Sequence, residues 1–107
     1  MQFDELKDEV KSVPLDSLRC DADNNLEAVV IRDEVVKLKE RLEKFFGTPA
    51  FPSQHSLTFE MRRIVDGFGG ILPGQTLYFW NRGPEVIFAM LWPWSDGKRT
   101  TVKLIKK

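Results

Sequence analysis

The last third of the chain constrains the fold most, because three apolar runs there are separated by two short turn signals. The segment TLYFWNRGPEVIFAMLWPWSDGKRTTVKLI holds the three tryptophans and the only tyrosine of the chain. Its breaks, "RGPE" and "SDGK", are typical of tight hairpin connections. Strands joined by such short turns pair antiparallel, so this segment predicts a three-stranded β-meander.

The two turns also predict the register of the strands. A two-residue turn within "RGPE" places Phe79 opposite Phe88. A type I′ turn at Asp96-Gly97 places Trp92 opposite Thr101. The same register pairs Arg82 with Glu85, Leu77 with Met90, Trp94 with Arg99, and Met90 with Lys103.

This register sorts the meander into two faces, because successive side chains of a strand point to opposite sides. The first face is assigned to the core under the helices and contains Tyr78, Trp80, Ile87, Ala89, Leu91, Val102 and Leu104. The second face is also largely apolar and contains Leu77, Phe79, Val86, Phe88, Met90, Trp92, Trp94 and Ile105, beside Arg99, Thr101 and Lys103. A sheet covered on one side normally shows polar residues on the other. We therefore expect a cover for the second face, either the N-terminal helix or the "GTPAFP" linker within the monomer, or a second chain or ligand.

Three stretches before the meander carry apolar residues at helical spacing, and they predict helices over about residues 3–13, 33–45 and 57–68. Pro14 ends the first, and Ser53 or Ser56 is a candidate cap for the third. Residues 26–31, "LEAVVI", allow two interpretations. A capping-box pattern slightly favours a helix, whereas consecutive β-branched residues suit a fourth strand. The Asp- and Asn-rich stretch before them predicts a connector.

Length and charge limit the class of protein. A chain of 107 residues predicts one domain, 1–107, of the α+β class, with N-terminal helices packed on one face of the C-terminal meander. A formal net charge of +0 makes nucleic-acid binding unexpected. Apolar runs are too short to cross a membrane, and the single cysteine, Cys20, suits a reducing compartment. These features predict a soluble cytoplasmic protein.

Motifs for catalysis are sparse. Cys20 and His55 are the only thiol and imidazole, and a lone cysteine is more often a small buried apolar group. The glycines of "DGFGGILPGQ" lack the Lys-Ser/Thr pair of a phosphate loop, so a helix end followed by a turn explains them better. The sequence therefore predicts no catalytic residue, no metal site and no cofactor, and favours a non-enzymatic function.

The second sheet face is the candidate working surface. We expect a protein-interaction domain that forms a homodimer or docks a partner protein. Its candidate binding residues are Phe79, Phe88, Met90, Trp92, Trp94, Arg99 and Lys103. The alternative is a module that binds a small ligand or a single-stranded nucleic acid on the surface of Trp92, Trp94 and Arg99, with the basic C-terminal end nearby.

Overall fold

The structure of the protein, a computed structural model, describes residues 2–53, 56–82 and 84–107. In these residues three helices accompany a five-stranded antiparallel sheet. Along the chain the elements are α1 (Phe3–Lys11), β1 (Ser17–Ala22), β2 (Asn25–Ile31), α2 (Val35–Phe46), α3 (Phe59–Asp66), β3 (Thr76–Arg82), β4 (Glu85–Pro93) and β5 (Arg99–Lys106). A 3-10 turn, Arg32–Glu34, leads into α2. The predicted α+β class and the antiparallel sheet are confirmed.

The sheet is wider than the meander that was predicted. Its strand order is β1-β2-β5-β4-β3, so the meander supplies three strands and β5 occupies the centre. Residues 26–31 lie in β2, and the slight preference for a helix there was wrong. Ala28, Val29 and Val30 are buried in succession, which a strand covered on both faces achieves and a helix with one buried stripe does not. The predicted connector likewise contains a strand, β1.

The predicted register of the meander is confirmed. Phe79 pairs with Phe88, and Trp92 pairs with Thr101. Three of the four remaining pairs also match: Arg82 with Glu85, Leu77 with Met90, and Met90 with Lys103. The fourth lies just beyond the end of β4, where Trp94 N donates to Arg99 O at 2.8 Å. The type I′ turn was wrong, because among the described non-glycine residues none has a positive φ, whereas that turn requires one at Asp96. Trp94 N donates to Arg99 O, so the four residues between this pair, 95–98, form the loop instead. The predicted turn at Gly83 lies outside the described residues.

The first sheet face packs against α1 and α2, as expected. Leu6 and Val10 of α1 and Leu38 and Leu42 of α2 are fully buried in this core. All seven residues assigned to the first face lie in it or pack against it: Tyr78, Trp80, Ile87, Ala89, Leu91, Val102 and Leu104. Burial of each large side chain contributes roughly 1.5–3 kcal/mol.

The second face is covered within the chain by α3 and by part of the linker. Ile64 and Val65 of α3 pack with Leu77, Phe88, Met90 and Ile105 in a second buried cluster. Phe51 of the linker forms an isolated antiparallel bridge with Leu77, at the outer edge of β3. The linker was one of the covers we expected, but α1 lies on the first face. The helices are thus divided between the two faces. Thr58 caps α3, in place of Ser53 or Ser56, and its Oγ1 accepts a hydrogen bond from Met61 N at 3.1 Å.

Candidate functional site

The structure separates the seven predicted site residues into two groups. Phe88 and Met90 are 0% exposed beneath α3, so they belong to the core and are not available to a partner. Phe79 is partly buried and stacks on Phe88 with ring centroids 5.8 Å apart. The other four are partly exposed: Trp92, Trp94, Arg99 and Lys103.

These four residues form the centre of a surface that we call the tryptophan rim, defined as Arg19, Trp92, Trp94, Arg99, Thr101 and Lys103. It lies beside the apolar cluster under α3, on the side of the sheet where β1 and β2 are found. Thr101 is buried at the floor of the rim, whereas the side chain of Arg19 on β1 is exposed.

Trp94 is held by three neighbours. Its Nε1 donates a hydrogen bond to Thr101 Oγ1 at 2.8 Å. The guanidinium of Arg99 lies 5.7 Å from the ring centroid, and that of Arg19 lies 5.5 Å away. Contacts of this kind contribute about 0.5–2 kcal/mol each. The sequence register placed Arg99 and Thr101 next to this indole, but it missed Arg19, because the strand that carries it was interpreted as a connector.

Trp92 is fixed by close packing. Lys103 Nζ lies 4.8 Å from its ring centroid. On another side, a Cβ added at Gly69 would lie 3.1 Å from the indole Cη2, so only a glycine fits without displacing the ring. Gly69 also has φ of +109°, which disfavours any other residue. The glycine-rich segment therefore serves as a close approach between a loop and a tryptophan.

Most cations of the rim are already paired with carboxylates. Arg99 contacts Asp16 at 3.2 Å and Asp96 at 3.1 Å, and Lys103 contacts Glu27 at 3.6 Å. Arg19 has no carboxylate partner among the described residues. The rim is thus an aromatic surface with a mixed and nearly balanced charge.

The hairpin loop beside the rim is ordered by Asp96. Its Oδ1 accepts hydrogen bonds from the backbone N–H of Lys98 at 2.8 Å and of Arg99 at 3.3 Å. The bond from Lys98 is the main reason that the pKa of Asp96 is lower than its ordinary value. The loop is therefore stabilised by hydrogen bonds between its own groups.

Other candidate chemistry is not assembled in the described part of the chain. Cys20 is exposed and its Sγ lies 2.9 Å from Asn25 Oδ1, while His55 lies outside the described residues. Across residues 2–53, 56–82 and 84–107, no three His, Cys, Asp or Glu side chains are grouped so that they could hold a metal ion. Of the helices described, none has the length and apolar character that crossing a membrane requires.

Comparisons of the chain with protein-family models, curated proteins and solved structures give no match. The function must therefore be inferred from the residues of the chain itself.

Proposed function

We propose that this chain is a non-catalytic protein-interaction domain, which self-associates or docks a partner protein through the tryptophan rim. The observation that carries the proposal is that Trp94 is both partly exposed and fixed in orientation. This indole is partly exposed, yet one hydrogen bond and two guanidinium groups fix its orientation. Tryptophan and arginine are the residues most often responsible for affinity at protein interfaces, and a side chain that is already ordered loses little entropy on binding.

The charge pattern favours a protein over a single-stranded nucleic acid. Arg99 and Lys103 would have to leave Asp16, Asp96 and Glu27 before they could neutralise phosphates. A protein partner with its own mixed charges can instead complement the existing pairs. The contact surface is smaller than the sequence predicted, because Phe88 and Met90 are excluded from it.

Sedimentation velocity over a wide range of protein concentrations tests self-association. We expect the sedimentation coefficient of the wild type to rise with concentration, while Trp94→Ala stays monomeric and keeps a cooperative unfolding transition. Phe59→Ala is a control for the truncation of an exposed aromatic side chain, because Phe59 is 83% exposed on α3 and is not one of the rim residues. If Trp94→Ala associates as strongly as the wild type, the rim is not the contact.

Binding of an oligonucleotide separates the two functions. A fluorescence titration with single-stranded DNA at low and moderate salt should show no binding that depends on Trp94. Binding that weakens steeply with salt and is lost in Trp94→Ala would instead favour the nucleic-acid alternative.

The proposal includes a cytoplasmic location and a single domain. The only cysteine of the chain, Cys20, is exposed, and an exposed thiol persists unmodified best in a reducing compartment. Fractionation of cells that express the tagged chain tests the location. Coincident unfolding transitions by circular dichroism and tryptophan fluorescence test the single domain.

A further inference from the structure

A cleft lies at the end of the sheet, between the start of α2 and the loop that joins β4 to β5. Its volume is about 460 Å³, and its apolar walls are formed by Val35, Val36, Pro93 and Trp94. A second cavity of about 330 Å³ shares Arg32, Gly97 and Arg99 with the first and adds Ile31, Asp33 and Lys98. The two together have an apolar half and a charged half.

The walls of this cleft are connected to each other. The backbone N–H of Arg32, just before α2, donates to the carbonyl oxygen of Lys98 in the hairpin loop at 2.8 Å. That loop is itself ordered by the hydrogen bonds to Asp96. The cleft is therefore a preformed feature of the fold, and a ligand would not have to bring its walls together.

The charged half carries cations that are free to bind an anion. Arg32 and Lys98 are exposed, and neither has a carboxylate partner among the described residues. Arg99 is already paired with Asp16 and Asp96, and Asp33 is the one carboxylate that lines the cavities. In the described part of the chain, two cations without a carboxylate partner therefore line the cavities, and only one carboxylate lines them without a partner of its own.

The apolar half exposes side chains that water solvates poorly. Val36, on the wall of the larger cavity, is 67% exposed. Ile31, on the wall of the smaller cavity, is 41% exposed. Cavities of about 300–1,000 Å³ with apolar walls and a few polar groups are typical of small-molecule sites. The larger cavity lies within this range.

We infer that this cleft binds a small organic anion, with its apolar body against Val36 and Trp94 and its carboxylate or phosphate on Arg32 and Lys98. The inference goes beyond the proposed function and does not depend on it, since a domain that never associates through the rim can still hold such a ligand.

Nuclear magnetic resonance titrations with four naphthalene probes test this site. The probes are naphthalene-2-carboxylate, 2-naphthyl phosphate, the neutral naphthalene-2-methanol and the cation naphthalen-2-ylmethylammonium. We expect the two anions to shift the backbone amide signals of residues 32–36 and 96–99. The neutral probe should bind about a hundredfold more weakly, because it lacks the charge-assisted hydrogen bonds to both Arg32 and Lys98. The tighter of the two anions identifies the head group.

Three variants complete the test. Arg32→Gln should reduce the affinity for both anions about tenfold and leave that for the neutral probe unchanged. Val36→Asp should weaken binding of the two anions and of the neutral probe, and Arg62→Gln, a matched change on α3, should alter none of the affinities. The amide spectrum of each variant shows whether it is folded. Shifts scattered over the surface, equal binding of the cationic probe, or a folded Arg32→Gln with unchanged affinity for the anions would overturn the inference. Trp94 lines both the cleft and the rim, so it is left unchanged in this test; Arg32 and Val36 lie outside the rim as defined, and their variants should leave self-association unchanged.

Discussion

Replacing Phe88 with alanine should cost a large part of the stability of this domain. Phe88 is 0% exposed, and its ring lies 5.5 Å from Phe68 in a T-shaped contact and 5.8 Å from Phe79 in a stacked one. Truncation of a buried phenylalanine typically costs 3–5 kcal/mol, through lost burial and a cavity that the neighbours fill only partly. The total stability of a domain is about 5–15 kcal/mol, so we expect Phe88→Ala to be marginally folded.

Urea unfolding, followed by tryptophan fluorescence and circular dichroism, measures this loss. Phe59→Ala makes the same chemical change at a side chain that is 83% exposed, and it should change the free energy of unfolding by no more than about 0.5 kcal/mol. Phe88→Ala should also lower Tm by more than about 10 °C. If it costs no more than Phe59→Ala, or converts an oligomer into a stable monomer, then the second face is not an internal core and the position of α3 is wrong.

Three further predictions concern single contacts. Asp21 accepts a hydrogen bond from Lys11 that keeps the pKa of the Asp21 carboxyl below its ordinary value in the folded chain. The stabilisation from this contact is therefore present above about pH 4 and lost as the pH falls further. The urea midpoint of Asp21→Asn should change less on acidification than that of the wild type. Gly69→Ala should cost about 1–3 kcal/mol more than Gly97→Ala, because the added Cβ meets an indole at Gly69 and open space at Gly97; equal losses of stability would contradict this packing. Burial, and then a hydrogen bond to a carboxylate, raises the pKa of Tyr78, so the stabilisation that the Tyr78 hydroxyl contributes is present below about pH 10 and lost above it. Tyr78→Phe should therefore lower the free energy of unfolding by about 1 kcal/mol at neutral pH, but lose less stability than the wild type in alkali. Urea midpoints at both pH values would show the difference.

The meander could be predicted from sequence because its information is local. Each hairpin joins neighbouring runs, and the turn residues fix which side chains face each other. The predicted register of the second hairpin was correct although its predicted turn type was wrong. A four-residue loop around Asp96-Gly97 leaves Trp94 N donating to Arg99 O at 2.8 Å, so the pairing beyond the loop is the same as for a two-residue turn.

β1 could not be predicted because it has little apolar pattern. Five of its six residues are exposed and the last is partly buried. Its register with β2 also shifts between Leu18 and Cys20, which disturbs the alternation of side chains. An edge strand of this kind is stabilised by pairing with a strand that is already formed. Arg19 and Asp16, which depend on that pairing to reach Trp94 and Arg99, were missed for the same reason.

The number of amphipathic helices in the sequence also predicts what covers the second face. The sequence shows three amphipathic helices, and each needs an apolar surface to bury its stripe. Helices pack about 8–10 Å apart, so two of them fill one face of a small sheet. The third therefore had to lie on the other face. The apolar second face packs against the apolar stripe of α3.

The same dimensions explain why the tryptophan rim stays accessible. Five strands, with four gaps of about 4.8 Å, make a sheet about 19 Å wide, whereas one helix with its side chains is about 10–12 Å across. α3 therefore covers little more than half of the second face, over β3, β4 and the end of β5. On the remaining part Val29 and Thr101 are still buried, and the charged groups that meet solvent there are those of Arg19, Glu27 and Lys103. Trp92 packs against the edge of the α3 cluster, and Trp94 lies beyond it, fixed by Thr101 and two guanidinium groups yet partly exposed. The proposed interaction depends on this position of Trp94.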